Sequence, residues 1–141
     1  MFSTETEEWT QGPIMKQKRY HHSCFYDDHT NSIFVVGGYG GYNTGAYDTT
    51  EQWNLETNQW ISTPSLPEPL YDSAGVASKS MDYIGFVAGG RSGGLTDSNN
   101  TKKVLGLRRR DLEWEGMPQQ LRTARRDHSM VNLPYDQIPG C

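Results

Sequence analysis

A repeat of about 52 residues restricts this chain more than any other feature. Ile33-Phe34-Val35-Val36-Gly37-Gly38 returns as Ile84-Gly85-Phe86-Val87-Ala88-Gly89-Gly90, with equivalent glycines 52 positions apart. Trp9, Trp60 and Trp114 keep the same beat, at spacings of 51 and 54, and each precedes a turn: Gly12-Pro13, Leu66-Pro67 and Met117-Pro118. Arg19-Tyr20-His21-His22-Ser23 is answered 106 positions later by Arg125-Arg126-Asp127-His128-Ser129, and Leu70-Tyr71-Asp72-Ser73-Ala74 stands between them. A period of this length marks a chain built by stacking one supersecondary unit on the next.

Within a unit the segments read as strands. The apolar runs are four or five residues long, β-branched or aromatic, and bounded by glycine, which favours strand over helix. The 15 glycines and 7 prolines break any helical pattern every few residues, each at about 1–3 kcal/mol inside a helix. Four strands fit each unit. They are predicted near 20–26, 32–37, 48–54 and 58–62, then near 71–78, 83–88, 102–107 and 111–115, with a lone strand around Trp9 before them and another at 127–133 after. Apolar residues make up 34% of the chain, and Leu, Ile, Val and Phe together number 24, about 17%, a level that raises the question of disorder. The 11% aromatic content and a net charge of −4 point instead to an all-β fold with a core of Trp, Tyr and small residues.

The order of apolar run, Gly-Gly, gap, Glu51-Gln52-Trp53-Asn54, Asn58-Gln59-Trp60 and Leu66-Pro67 resembles the kelch repeat. The resemblance covers residues 8–134. It departs at Leu70, where Arg is usual, at Gly106-Leu107-Arg108, which replaces an acidic-x-Tyr step, and across 119–124, which is stretched. What it implies is a partial β-propeller of four-stranded antiparallel blades, two complete with flanking half-blades. Residues 1–7 then form an N-terminal tail, 8–18 the last strand of a preceding blade, 19–62 the first full blade and 70–116 the second. Residues 125–134 give the first strand of a further blade and 135–141 a C-terminal tail. In this reading Gly37, Gly38, Gly89 and Gly90 let the backbone pass close to its neighbours, and Trp9, Trp60 and Trp114 pack between blades. Propellers close with four to eight blades, so this count predicts a piece of a longer ring, or copies of the chain that complete one.

Several kinds of chemistry find no support in the sequence. Thirteen basic residues against seventeen acidic do not make the positive footprint that nucleic acid requires. No apolar run reaches the roughly 20 residues of a spanning helix, and the first residues lack the pattern of a secretory leader. Cys24 and Cys141, 117 positions apart, exclude a disulfide framework and favour a reducing, cytoplasmic setting, with an extracellular one as the alternative. His21 and His22 are adjacent, so on a strand they would point to opposite faces, and a metal site could arise only by long-range assembly. No nucleophile elbow surrounds a serine. Gly37-Gly38-Tyr39-Gly40-Gly41 lacks the following helix and lysine of a phosphate loop. The run Arg108-Arg109-Arg110 is balanced by Asp111, Glu113 and Glu115 and reads mainly as a solvated connection, with an acidic peptide as the other option. The expectation is therefore no catalytic residue, no metal and no cofactor.

The resemblance also implies a binding face. In kelch propellers of the adaptor kind, the residue after the doubled glycine and those after the repeat arginine line one end of the ring. Carried onto this chain, these are Tyr39 and Arg91, Tyr20 with His21, Tyr71 with Asp72, and Arg126 with Asp127. Aromatic and arginine side chains dominate interface energetics, and the mixture suits a protein or extended peptide with acidic groups. The leading function is thus a non-catalytic interaction module, the partner-recruiting part of an adaptor such as a ubiquitin-ligase adaptor. An actin-associated or extracellular scaffold is the second reading, and a piece of a copper oxidase of the galactose oxidase type is the third.

Overall fold

The computed structural model describes residues 1–93 and 99–132. Two four-stranded antiparallel meanders dominate it. The first blade runs β3 (Ser23–Asp27), β4 (Ser32–Val36), β5 (Thr50–Asn54) and β6 (Gln59–Thr63), each pairing with the next. The second runs β8 (Ala74–Ala77), β9 (Tyr83–Ala88), β12 (Val104–Arg108) and β13 (Trp114–Gly116) in the same order. Three short strands, β7 (Leu70–Tyr71), β10 (Arg91–Ser92) and β11 (Asn99–Asn100), form a ribbon at one end of the second blade. The first blade has its counterpart in two bridges, Tyr20 to Tyr39 and Tyr39 to Ala46. A hairpin of β1 (Phe2–Ser3) and β2 (Glu8–Trp9) precedes them.

The blades meet face to face. Alternate residues of β3 and β4 point toward the second blade, as the period of two requires, and Phe25 stacks on Phe34 with ring centroids 5.5 Å apart. Their partners across the seam are Ile84, Val87, Leu105 and Leu107, while Val36, Leu66 and Leu70 complete the buried cluster. Space for the Phe25 ring comes from Gly85, where a Cβ would lie 2.5–2.8 Å from three ring atoms. The equivalent position in the first blade is Ile33, on the face turned away from the second blade. At the outer end of the seam the fully buried Asp27 carboxylate accepts two hydrogen bonds from Arg109, at 2.8 and 3.1 Å. Arg109 is thus a clamp between blades and not a solvated connection, whereas its neighbour Arg108 is held by Asp111, Glu113 and Glu115.

Each Gly-Gly pair sits where two blades exchange backbone hydrogen bonds. Gly37 and Gly38 have φ of 61° and 100°, and Gly89 and Gly90 of 62° and 91°. Gly38 N donates to Leu70 O at 2.8 Å and Gly90 N to Arg125 O at 2.7 Å. A Cβ on Gly37 would fall 2.1 Å from Leu70 O, a distance no side chain tolerates.

Several sequence expectations are corrected. The strand predicted at 20–26 starts only at Ser23, and the one predicted at 71–78 splits into β7 and β8, because His21 and Asp72 adopt left-handed φ of 55° and interrupt the extended backbone. Residues 127–132 form no strand. They touch the second blade through single bonds, Asp127 N to Asp72 O at 3.0 Å and the Asn132 amide to Ala77 O, and no strand of their own blade lies beside them among the described residues. Residue 133, the 135–141 tail and Cys141 lie outside the described residues. Trp9 does not pack between blades: it is 81% exposed and rests on Phe2 in the β1–β2 hairpin. Trp60 instead stacks on Trp53 at 5.8 Å and donates to Pro13 O at 2.9 Å.

Two tests follow from the seam. Gly85→Ala should cost about 1–3 kcal/mol by overpacking, and Phe25→Leu in the same chain should recover part of that loss, measured by urea unfolding as a double-mutant cycle. Burial alone would raise the Asp27 carboxyl, but the hydrogen bonds from Arg109 and Thr30 win and hold it below the ordinary aspartate range. A carboxyl depressed in the folded state contributes stability above its unfolded value, near 3.9, and loses it as pH falls through the folded value. Acid unfolding of wild type should therefore show a component below about pH 4 that is missing in Asp27→Asn.

Candidate functional site: an open pocket at the inner end of the blades

Three equivalent turns build the site. His21, Asp72 and Asp127 are the third residues of the three repeat markers, and all three lie in the left-handed region, with φ of 55°, 55° and 51°. Asp, Asn and His enter this region more readily than other side-chain-bearing residues. The turns are chained together: Asp72 N donates to His21 O at 2.9 Å and Asp127 N to Asp72 O at 3.0 Å. This relay places side chains from residues 106 positions apart in sequence around one space.

The residue before each turn, Tyr20 or Tyr71, pairs with the residue after each Gly-Gly. Tyr20 and Tyr39 exchange backbone hydrogen bonds at 3.0 and 2.7 Å, and Tyr71 pairs with Arg91 in the β7–β10 ladder. Their side chains form a continuous row. Tyr20 meets Tyr39 edge-on at 5.4 Å, Tyr39 meets Tyr71 at 5.3 Å, and the Arg91 guanidinium lies over the Tyr71 ring at 5.3 Å. Such a cation–π contact holds the guanidinium against the ring.

All eight binding residues named from the sequence line one pocket of about 350 Å³, together with Tyr42. They are not equally available. Tyr39 and Tyr71 are 3% and 4% exposed and form the floor, whereas Tyr20, His21, Arg126 and Asp127 stand at the rim. The hydroxyls of both floor tyrosines are buried and receive or donate no hydrogen bond among the described residues. Burial, followed by the neighbouring tyrosines, pushes the Tyr39 hydroxyl above its ordinary value. Asp72 is raised as well, first by burial and then by the nearby Asp127 carboxylate, against the opposing effect of His21, whose Nδ1 lies 2.7 Å from its Oδ1. The pocket therefore has an aromatic wall ending in a cation and an axial wall of imidazole and carboxylates.

Sequence reasoning placed His21 on a strand; its left-handed turn removes the argument from alternation and brings it to the two aspartates. It also missed Tyr42, which no repeat marker flags. The other buried ion pair, Arg19 with Glu51 at 2.5 Å, lies behind this site, where Arg19 also donates to Gly37 O at 2.7 Å and Thr49 O at 2.9 Å. Cys24 is exposed on β3, opposite Val35, outside the pocket.

The family model of the kelch motif matches residues 29–67, which contain β4, the glycine pair and the Trp53–Trp60 hairpin. This is a kelch-repeat protein. It is 30% identical over 117 residues to a RING finger domain and kelch repeat-containing protein of Dictyostelium discoideum, covering 81% of this chain and 11% of that one. Alpha-scruin of Limulus polyphemus is 30% identical over 104 residues, covering 74% of this chain and 10% of the scruin. Human Kelch-like protein 34 is 29% identical over 99 residues, covering 70% and 15%. The chain thus spans about a tenth of the length of the curated relatives it matches first. Its fold and relatives make it a protein-interaction module of the kelch type.

The turns give a direct test. Asp72→Gly and Asp72→Ala remove the same carboxylate, but only alanine is strained at φ near 55°. The glycine variant should be the more stable by about 1 kcal/mol in denaturant melts, and equal stabilities would contradict the left-handed assignment.

Proposed function

We propose that this kelch segment recruits a protein partner through the pocket between the two blades, as the non-catalytic recognition part of a larger adaptor. The supporting observation is the convergence of three repeats on one open pocket walled by a row of three tyrosines that ends in the Arg91 guanidinium. The bound segment extends an acidic side chain toward Arg91, which the Tyr71 ring keeps oriented, and apolar or aromatic surface toward Tyr20. Asp72 and Asp127 make the opposite wall unfavourable for further acidic groups, so the preferred segment is of mixed charge and not uniformly acidic.

A ubiquitin-ligase adaptor working in the cytoplasm is the setting we favour. Similarity to a protein named for both a RING finger domain and kelch repeats, and to a kelch-like protein, supports it. Similarity to two scruins supports a scaffolding role as the second reading.

Proximity labelling in cells, followed by calorimetry with the purified partner, tests the proposal. Arg91→Ala should weaken binding by about 1–3 kcal/mol. Tyr20→Ala, at the exposed rim, should weaken it by about 1–2 kcal/mol. Loss of the chain should raise the partner's abundance if the adaptor reading holds and leave it unchanged if the protein is a scaffold. Unaltered affinity in both variants would remove the pocket from the interface.

A further inference from the structure

One wall of the pocket gathers an imidazole and two carboxylates. His21, Asp72 and Asp127 each offer one ligand atom, and these atoms all lie within 4.8 Å of one another. We propose that the three side chains together hold one divalent transition-metal cation of the zinc, cobalt or manganese class.

The donor set supports that class of ion. One imidazole and two carboxylates form a borderline set that suits Zn²⁺ and its neighbours, whereas calcium and magnesium favour all-oxygen shells. Three protein ligands leave at least one coordination position open, and here that position faces the pocket, where water or a partner's side chain completes the shell.

An independent observation comes from Asp72. Its side chain is only 7% exposed, and its buried Oδ1 accepts no hydrogen bond among the described residues. The His21 Nδ1 lies 2.7 Å away as an ion-pair contact, yet this oxygen accepts no hydrogen bond. An imidazole nitrogen and a buried carboxylate oxygen therefore crowd one small space without a hydrogen bond between them, an arrangement a cation relieves. The arginines nearby donate no hydrogen bond to this oxygen. Arg126 pairs with Asp127 at 3.5 Å on the exposed side, and Arg91 is stacked over Tyr71.

The backbone prepares the site. Each ligand sits on the same left-handed turn, and the turns are tied by the His21 O, Asp72 N and Asp72 O, Asp127 N hydrogen bonds. The three donors thus come from three successive repeats, and binding a metal would fasten the markers of both blades to the segment that follows them. The competing way to relieve the same crowding is a proton shared between Asp72 and Asp127. The proposal stands apart from the partner-binding reading, because it concerns an inorganic ion and needs no protein ligand.

The experiment is a titration of the full chain with ZnCl₂ by calorimetry and with CoCl₂ by visible absorption. One equivalent should bind at pH 7.5, with a tetrahedral or five-coordinate cobalt spectrum, and affinity should fall as pH drops because protons compete for the same ligands. Asp72→Asn and Asp127→Asn keep residues that accept left-handed φ, so the sheets should persist by circular dichroism while affinity falls about 10-fold or more. His29→Gln, at an exposed site outside the pocket, should change nothing. Absence of saturable binding by the folded chain would assign the cluster to a shared proton. Undiminished binding in the Asp72→Asn/Asp127→Asn double variant would assign the metal to Cys24 or to surface histidines. Either result overturns the proposal.

Discussion

The whole arrangement depends on how closely the backbone of one repeat can approach the backbone of the next. Leu70 O occupies the place where a Cβ on Gly37 would stand, and Arg125 O sits 2.6 Å from the Cβ position of Gly89. Only glycine permits this approach, and it permits it twice, one period apart. The hydrogen bonds that result, from Gly38 to Leu70 and from Gly90 to Arg125, fix where each marker lies against the preceding blade. Once they are set, the residue after each glycine pair must face the residue after each marker's first position, which is the geometry of the pocket.

The seam follows the same logic with side chains. Gly85 makes room for the Phe25 ring, and the stack of Phe25 on Phe34 then fills the volume against Val87, Leu105 and Leu107. Large against small gives close packing with few voids. Two buried ion pairs frame this core. Arg19 and Glu51 tie the entry of the first blade to its third strand, and Asp27 and Arg109 tie the outer ends of the two blades. Buried pairs of this kind add little net stability over an apolar substitute, but losing one partner leaves the other stranded. They therefore act chiefly on register. Leu70, at the position of Arg19 in the next repeat, is the apolar substitute, and it joins the buried cluster.

The pocket sits where repetition is imperfect. The two blades share one strand order, yet the residues that follow each glycine pair differ, Tyr39 in one repeat and Arg91 in the other, and the turn residues differ as His21, Asp72 and Asp127. A conserved frame with variable positions at one end makes a pocket whose chemistry can change without disturbing the blades. Here that end combines an aromatic floor, a stacked guanidinium and an imidazole–carboxylate cluster.

Much of this was legible in the sequence. The period, the glycine pairs bounding short apolar runs and the phased tryptophans determined an all-β chain of four-stranded units, because those patterns depend on local sterics and on alternation along a strand. The eight pocket residues came from the resemblance to the kelch repeat, carried onto their places in this chain. What the tertiary structure alone decided has a common physical cause, namely contacts between residues far apart in the chain. Left-handed turns at His21 and Asp72 cut predicted strands short, since residue type only permits an αL turn and the neighbouring backbone it must meet decides whether it forms. Arg109 looked like part of a solvated run until the packing of the blades brought it to Asp27, 82 positions away. Trp9 kept the beat of the repeat without a place in the seam, because phase in sequence does not guarantee a surface to pack against. The meeting of His21, Asp72 and Asp127 required the chained turns themselves, and no spacing along the sequence encodes that distance.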